Sequence, residues 1–387
     1  MQAQDHIANT YRRFPITIVR GAGTRVWDDH GREYLDFVAG IAVCSLGHCN
    51  PAIIQAAQAQ LERLVHVSNL YWSQPQMELA EILCRHSFAD RVFFCNSGTE
   101  AMESAIKLAR HRGHDLHGPD CYEIICLEGS FHGRTMAALS ATGQRVYHRG
   151  FEPLMPGFKH VPLNNSHALK RAITHRTCAI LLEPIQGEGG VRIAMDEFLQ
   201  TARQLCDEHD LLLMFDEVQV GMGRTGSLFA YEQTSVTPDV MCLAKALGNG
   251  LPIGAMLAGE TTMTHLPPGS HASTFGGNPV SCAAALEVVK TMLSNGFLQG
   301  VQEKGDYLQQ GLTAIAAQHS NKVKEVRGRG LIQAMEFRSP MPDLALKLLD
   351  RGILAILSHD TVLRLIPPLV ITKDEIDLLL KTLQEIL

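Results

Sequence analysis

Short apolar runs punctuate the chain, and helices fill the spaces between them. From about residue 52 the runs are RVFFC (91–95), YEIICL (122–127), CAILL (178–182), LLLMF (211–215), DVMCLA (239–244) and AMLAG (255–259). None alternates cleanly between apolar and polar positions. Amphipathic stretches such as Glu100 to Arg110 and Asp196 to His209 lie between most of them. Strands without alternation, separated by helices, predict a mostly parallel sheet covered on both faces. Upstream, GTRVWDDHGREYLDF (23–37) reads as a hairpin, with two alternating runs around an Asp-Asp-His-Gly turn. From NPVSCAAALEVVKTML onward the pattern is helix-rich, followed by strands GLIQAMEF and TVLRLIPP and a last helix from Thr372. The fold class expected is α/β. A large domain over 52–275 carries the mostly parallel central sheet, and 1–51 with 276–387 form a smaller, discontinuous α+β domain.

Composition narrows the function classes. The net charge is −6 with no long basic run, which leaves no footprint for nucleic acid. No apolar run approaches the roughly 18 residues of a membrane helix, and the first residues lack the apolar core of a signal peptide. A cytoplasmic enzyme is the expectation. Ten cysteines lie scattered without a Cys-x-x-Cys pair and read as small buried residues, neither a disulfide framework nor a zinc site. Eighteen histidines are many, but none stands in a His-Glu-x-x-His arrangement, so no metal centre is expected.

In parallel α/β sheets ligands collect beyond the carboxyl ends of the strands. After RVFFC, Ser97 and Glu100 make a Ser-x-x-Glu capping box, so Ser97, Gly98 and Thr99 offer N–H groups and hydroxyls at a positive helix end. Taken alone this is a plain helix cap or a phosphate cradle. After YEIICL, the EGSFHGRT loop offers the flat face of Phe131 and the fork of Arg134. Glu183 and Glu188 bracket a Pro- and Gly-rich turn after CAILL, and loop solvation is the plain reading of both. Asp216 ends the strongly apolar LLLMF run, and a carboxylate so placed needs a cationic or N–H partner. Gly221-x-Gly223-x-x-Gly226 matches a dinucleotide fingerprint, but five residues separate it from the strand and no clear helix follows. Last comes Lys245, the one charged residue within MCLAKALGNGLPIGAMLAG, in what reads as a tight turn between neighbouring strands. A phosphate cradle, an aromatic face, a buried carboxylate and a desolvated lysine together fit pyridoxal 5′-phosphate. The lysine would bind the cofactor covalently, and the carboxylate would keep the ring nitrogen protonated.

Nearly end to end, the chain resembles the class III aminotransferases of fold type I, and within them the acetylornithine aminotransferases. The resemblance rests on CNSGTEAMESAIKLAR, SFHGRT, LEPIQGEGG, LMFDEVQVGMGRTG, AKALGNGLPIGA, HASTFGGNP and RLIPPL, met in order. It implies that Lys245 is the Schiff-base lysine and proton shuttle. Asp216 pairs with the ring nitrogen and Gln219 with the ring hydroxyl. Ser97, Gly98 and Thr99 hold the phosphate, and Phe131 stacks on the ring. Thr274 reaches the phosphate of a neighbouring subunit, with Ser273 beside it near the substrate, which implies a homodimer with shared active sites. Arg134 binds the distal carboxylate of the donor and Arg364 the α-carboxylate of glutamate or 2-oxoglutarate. Glu188 pairs with Arg364 and releases it when the keto acid enters, and Tyr11 borders the pocket. Arg364 also stands out unaided, as a charge inside the apolar run Val362, Leu363, Leu365, Ile366. Ornithine aminotransferases carry a tyrosine where this chain has Ile41, and the apolar residue favours an acylated amine. The implied reaction is ping-pong transfer of the δ-amino group of N2-acetyl-L-ornithine to 2-oxoglutarate, a step of arginine biosynthesis. Succinyl-diaminopimelate or succinylornithine is the alternative donor. An aminomutase, a nicotinamide dehydrogenase and a non-catalytic module on the same fold are more distant readings.

Overall fold

The computed structural model describes residues 6–387. In chain order its strands are β1 (Ile18–Ala22), β2 (Arg25–Asp28), β3 (Glu33–Asp36), β4 (Arg91–Cys95), β5 (Glu123–Leu127), β6 (Phe158–Val161), β7 (Thr177–Leu182), β8 (Ile185–Gln186) and β9 (Arg192–Ile193). They continue as β10 (Leu212–Asp216), β11 (Val240–Leu243), β12 (Gly254–Ala258), β13 (Val323–Arg329), β14 (Ile332–Phe337), β15 (Ile353–Leu354), β16 (Ile356–Ser358) and β17 (Val362–Leu365). The six apolar runs read from the sequence are all strands of one seven-stranded sheet, ordered β4-β12-β11-β10-β7-β5-β6. β10 pairs in parallel with β11 and β7, and β5 with β6 and β7. β12 alone runs antiparallel to its neighbours β11 and β4, because the Lys245 turn folds the chain straight back.

Both faces of this sheet are buried, which is why its strands lack alternation. On one face Cys126, Ala179, Met214, Cys242 and Met256 pack against Ala101, Met102, Ala105, Ile106 and Ala109 of the helix Gly98–His117. On the other, Ile125, Leu127, Ile180, Leu182, Leu213 and Phe215 meet Phe198, Leu199, Ala202 and Leu205 of the helix Asp196–His209. Each fully buried large side chain contributes about 1.5–3 kcal/mol.

The remaining strands form smaller sheets. The hairpin read over 23–37 is β2 and β3, with β1 added on one side and β15 on the other. β13, β14, β17 and β16 form a second four-stranded sheet, and β8 pairs with β9 as a short ribbon. A large apolar cluster joins these layers to the central sheet through residues such as Phe37, Leu46, Met222, Met335 and Leu363. The last helix, Lys373–Ile386, starts at a reciprocal capping box of Thr372 and Glu375. Among the described residues no helix is long and apolar enough to cross a membrane.

Candidate active site

The carboxyl ends of β4, β5, β7, β10 and β11 open on a cavity of about 380 Å³. Lys245 directs its side chain into it from the turn between β11 and β12, and its φ of +47° is one that residues other than glycine rarely adopt. Desolvation lowers its pKa below the ordinary 10.5. Glu188, Asp216 and Glu183 oppose the shift and Arg364 adds to it. A lysine so placed surrenders its proton more readily than one in water, as a general base requires.

Around Lys245 the cavity wall brings together Ser97, Gly98, Thr99, Phe131, Arg134, Glu188, Asp216 and Gln219. Ser97 caps the helix Gly98–His117, with Oγ accepting from Glu100 N at 3.3 Å. The return half of the expected capping box is shifted by one residue. Glu100 Oε2 accepts from Asn96 N and Asn96 Nδ2, at 2.6 and 2.9 Å, because the chain turns at Asn96 to leave β4. At Gly98 a Cβ would fall 2.7 Å from a methyl of Val218, so only glycine lets the helix start this close to the strand end that carries Asp216. The carboxyl-end loop of β5 supplies Phe131, whose ring meets Tyr147 edge-on at 5.7 Å, and Arg134, whose guanidinium lies 4.2 Å from the Tyr147 centroid.

Asp216 is buried. Its Oδ1 accepts from Val218 N at 3.0 Å, and its Oδ2 lies 2.8 Å from His132 Nδ1. The His132 ring is buried too, and its Nε2 has no partner. A ring with one partnered nitrogen and one dry, bare nitrogen is best satisfied as the Nδ1–H tautomer, donating to Asp216. Glu183 is the other acid of this wall. Its oxygens accept from Phe131 N at 3.0 Å and Gly187 N at 3.3 Å, tying two cavity loops together. Burial and the nearby Asp216 push its pKa well above the ordinary carboxyl range.

At the far side Arg364 rises from β17, 3% exposed. Its Nη1 meets Glu188 Oε1 at 2.7 Å and Gln219 Oε1 at 3.2 Å, while its Nε is buried without a partner. Burial pushes the Glu188 carboxyl up, but the Arg364 charge and hydrogen bond outweigh it and hold the pKa below the ordinary value. Gln219 also donates to Glu188 at 3.3 Å, and Gly187 makes room for Gln219, whose Oε1 would lie 1.9 Å from a Cβ there.

Four of the expected residues are not in this wall: Arg364 stands behind Glu188 and Gln219, and Ser273, Thr274 and Tyr11 lie elsewhere. Ser273 Oγ accepts from Gly276 N and Asn96 Nδ2 and lines a neighbouring hollow. Thr274 is exposed beside it, and Tyr11 is 70% exposed, with the Arg13 guanidinium 5.0 Å from its ring. His132 and Tyr147 are functional neighbours that the sequence reading left unassigned. The position of His132 in SFHGRT, next to Phe131, is the one signal that could have marked it.

The donor set suits pyridoxal 5′-phosphate. A helix start suits the phosphate, buried Asp216 with its uncapped His132 suits a protonated ring nitrogen, and the lowered Lys245 suits covalent attachment. A mostly parallel α/β sheet with this site at its carboxyl edge defines a pyridoxal-phosphate-dependent transaminase. The chain belongs to the class III aminotransferases, whose family model, described as aminotransferase class-III, matches residues 6–387.

Named relatives lie close. The acetylornithine aminotransferase of Caldanaerobacter subterraneus subsp. tengcongensis is 51% identical over 383 residues, covering 99% of this chain and 97% of its own. The ornithine aminotransferase from Toxoplasma gondii ME49 superposes with a TM-score of 0.95 at 34% identity, over 99% of this chain and 92% of that one. Another structure of the Toxoplasma gondii enzyme has PLP in partial occupancy at its active site. N-acetylornithine aminotransferase from Stenotrophomonas maltophilia K279a gives a TM-score of 0.83 at 39% identity, over 96% of this chain and 95% of that one.

Proposed function

We propose that the chain moves the δ-amino group of N2-acetyl-L-ornithine to 2-oxoglutarate, giving N-acetyl-L-glutamate 5-semialdehyde and L-glutamate, in the cytoplasm. The observation that carries this reading is the Arg364–Glu188 pair, 2.7 Å apart and close enough for both charges to act on Lys245. With Glu188 in place, the arginine is neutralised and the cavity suits an amine on an uncharged chain end. With Glu188 displaced, the same arginine offers its fork to the α-carboxylate of the keto acid. One cavity then serves two substrates in turn. The names of the relatives point to the same donor.

When bound, pyridoxal phosphate supplies a carbonyl carbon that takes up amines and a ring that draws electrons from the reacting carbon. Lys245 would hold the cofactor and, once freed and neutral, move a proton between the δ-carbon of the donor and the cofactor. Ser97, Gly98 and Thr99 would hold the phosphate, Phe131 would lie against the ring, and Asp216, steadied by His132, would keep the ring nitrogen charged. Gln219 would reach the ring hydroxyl and Arg134 the distal carboxylate. The reading extends to a homodimer in which Ser273 and Thr274 serve the partner's site. Beside them Leu70, Trp72 and Phe275 are 81%, 85% and 61% exposed, an apolar surface that supports a covering subunit. It also includes the division into 52–275 and the two flanking segments as domains.

A donor panel with 2-oxoglutarate tests the reading: acetylornithine, succinylornithine, succinyl-diaminopimelate, free ornithine and 4-aminobutyrate. The highest kcat/KM is expected for acetylornithine, and preference for free ornithine would overturn it. Preference for a succinylated amine selects the alternative donor on the same site.

A further inference from the structure

One turn beside the cavity has a backbone that L-amino acids avoid. Ala39, Gly40, Ile41 and Ala42 have φ of 51°, 64°, 66° and 60°. Together they make a left-handed helical turn, closed by hydrogen bonds from Ala42 N to Val38 O and from Val43 N to Ala39 O, 2.9 and 2.8 Å long. Left-handed backbone presses Cβ against the following carbonyl, most severely in a β-branched residue such as Ile41. Only Gly40 is at ease there. Such backbone persists where its surroundings over-determine it, and it gathers at functional sites.

Two clamps hold this turn. At its start Asp36 Oδ1 accepts from Val38 N and Ala39 N, at 2.7 and 2.9 Å. Asp36 Oδ2 is held in turn by His48 Nε2 at 2.7 Å. That bond is the main reason the His48 pKa is pushed up to about 10, so the imidazole keeps its proton at neutral pH. His48 is locked in place by a close approach to β1, where a Cβ on Gly21 would fall 2.7 Å from the His48 Cβ. Beyond the turn, Asn249 Oδ1 accepts from Leu46 N at 2.7 Å and Asn249 Nδ2 donates to Gly47 O at 3.1 Å. Asn249 stands four residues after Lys245 in the same connection and shares its left-handed backbone, with φ of 46° against 47°. Between the clamps Val43 lines the cavity with Lys245, Leu251, Pro252 and Ile253.

We propose that Asp36, His48 and Asn249 are positioning residues for substrate selection. They hold the left-handed turn against the Lys245 connection, and so fix the apolar wall that Val43 gives the cavity and the preference for an acylated over a free amine. The substrate side of this inference rests on the donor reading above. Its conformational side does not.

The test compares holoenzyme variants Asp36→Asn, His48→Gln and Ile41→Gly with the unaltered protein. It reads kcat and KM for acetylornithine, free ornithine and 2-oxoglutarate, the absorbance of the bound cofactor, and the urea midpoint. Asp36→Asn and His48→Gln are expected to raise KM for acetylornithine and to cut the acetylornithine-to-ornithine ratio of kcat/KM about tenfold. KM for 2-oxoglutarate, which answers to Arg364, should change less than about twofold, with the cofactor spectrum unchanged. Ile41→Gly puts glycine where φ is 66° and should not lower the urea midpoint. An unchanged ratio in folded Asp36→Asn enzyme overturns the proposal. So does a fall in the Ile41→Gly midpoint, the result for an unstrained apolar position. If the unaltered enzyme does not favour acetylornithine, the donor reading fails alone, and the midpoint still decides whether the turn is strained.

Discussion

Arg364 is a charge set into a buried strand, and its partners decide what it can do. Val362, Leu363 and Leu365 around it are buried, and among the described residues only Glu188 and Gln219 meet its Nη1. A dicarboxylate must therefore displace Glu188 to reach it. Arg364→Ala is expected to raise KM for 2-oxoglutarate about 10- to 100-fold, the worth of a charged hydrogen bond, and KM for the amine donor far less. Steady-state rates with each substrate varied in turn check this, and equal shifts in both would count against the displacement. Arg364 is legible in the sequence because a charge in an apolar run breaks the pattern. His132 is not, because its meaning lies in a contact with Asp216, 84 residues away. Glu183 is half legible: its place after a strand can be read, but its burial depends on how the loops at Phe131 and Gly187 close over it.

At the scale of elements, the start of the helix Gly98–His117 does two jobs. It presents N–H groups to the cavity, and through Glu100 it fixes Asn96, which in turn bonds Ser273 Oγ at 3.3 Å. Glu100→Ala removes two hydrogen bonds and a favourable charge from a helix N-terminus. A loss of about 1–2 kcal/mol is expected in urea unfolding, with weaker cofactor retention on dialysis. The strands of the central sheet are legible because burial on both faces leaves continuous apolar runs. β6 is not, because its Phe158, Lys159 and His160 are only half-buried at the sheet edge. The turn Ala39–Ala42 is illegible for a deeper reason. Nothing in the residues Ala-Gly-Ile-Ala demands a left-handed path, and the demand comes from Asp36 and Asn249.

The whole molecule holds a buried acid that ties its stability to pH. Glu217 is 1% exposed, and its oxygens accept from Ala230 N and Tyr231 N at 2.6 and 2.7 Å. Burial pushes its pKa from 4.5 up to about 8. The folded state thus keeps a proton that the unfolded chain gives up. The stabilisation is complete below pH 4.5 and is lost as pH rises through about 8, at up to about 1.4 kcal/mol per pH unit. Urea midpoints at pH 5 to 8 should therefore fall less steeply for Glu217→Gln than for the unaltered protein, and parallel curves would show that Glu217 is already ionised.

Seven residues further on, Arg224 is fully buried, and among the described residues no carboxylate meets its guanidinium. It donates instead to the Leu331 carbonyl and Ser45 Oγ, both at 3.0 Å, and to the Pro367 carbonyl. Burial lowers its pKa only to about 9, so it stays charged at neutral pH. The partners stand 107, 143 and 179 residues away along the chain. Three such distant segments meet at one guanidinium, so Arg224→Met is expected to speed unfolding in urea more than it slows refolding, which stopped-flow rates would check. An interaction absent from the transition state governs how fast the native fold is lost, not how fast it is reached. Arg224 thus ties together three stretches of chain that the sequence keeps far apart.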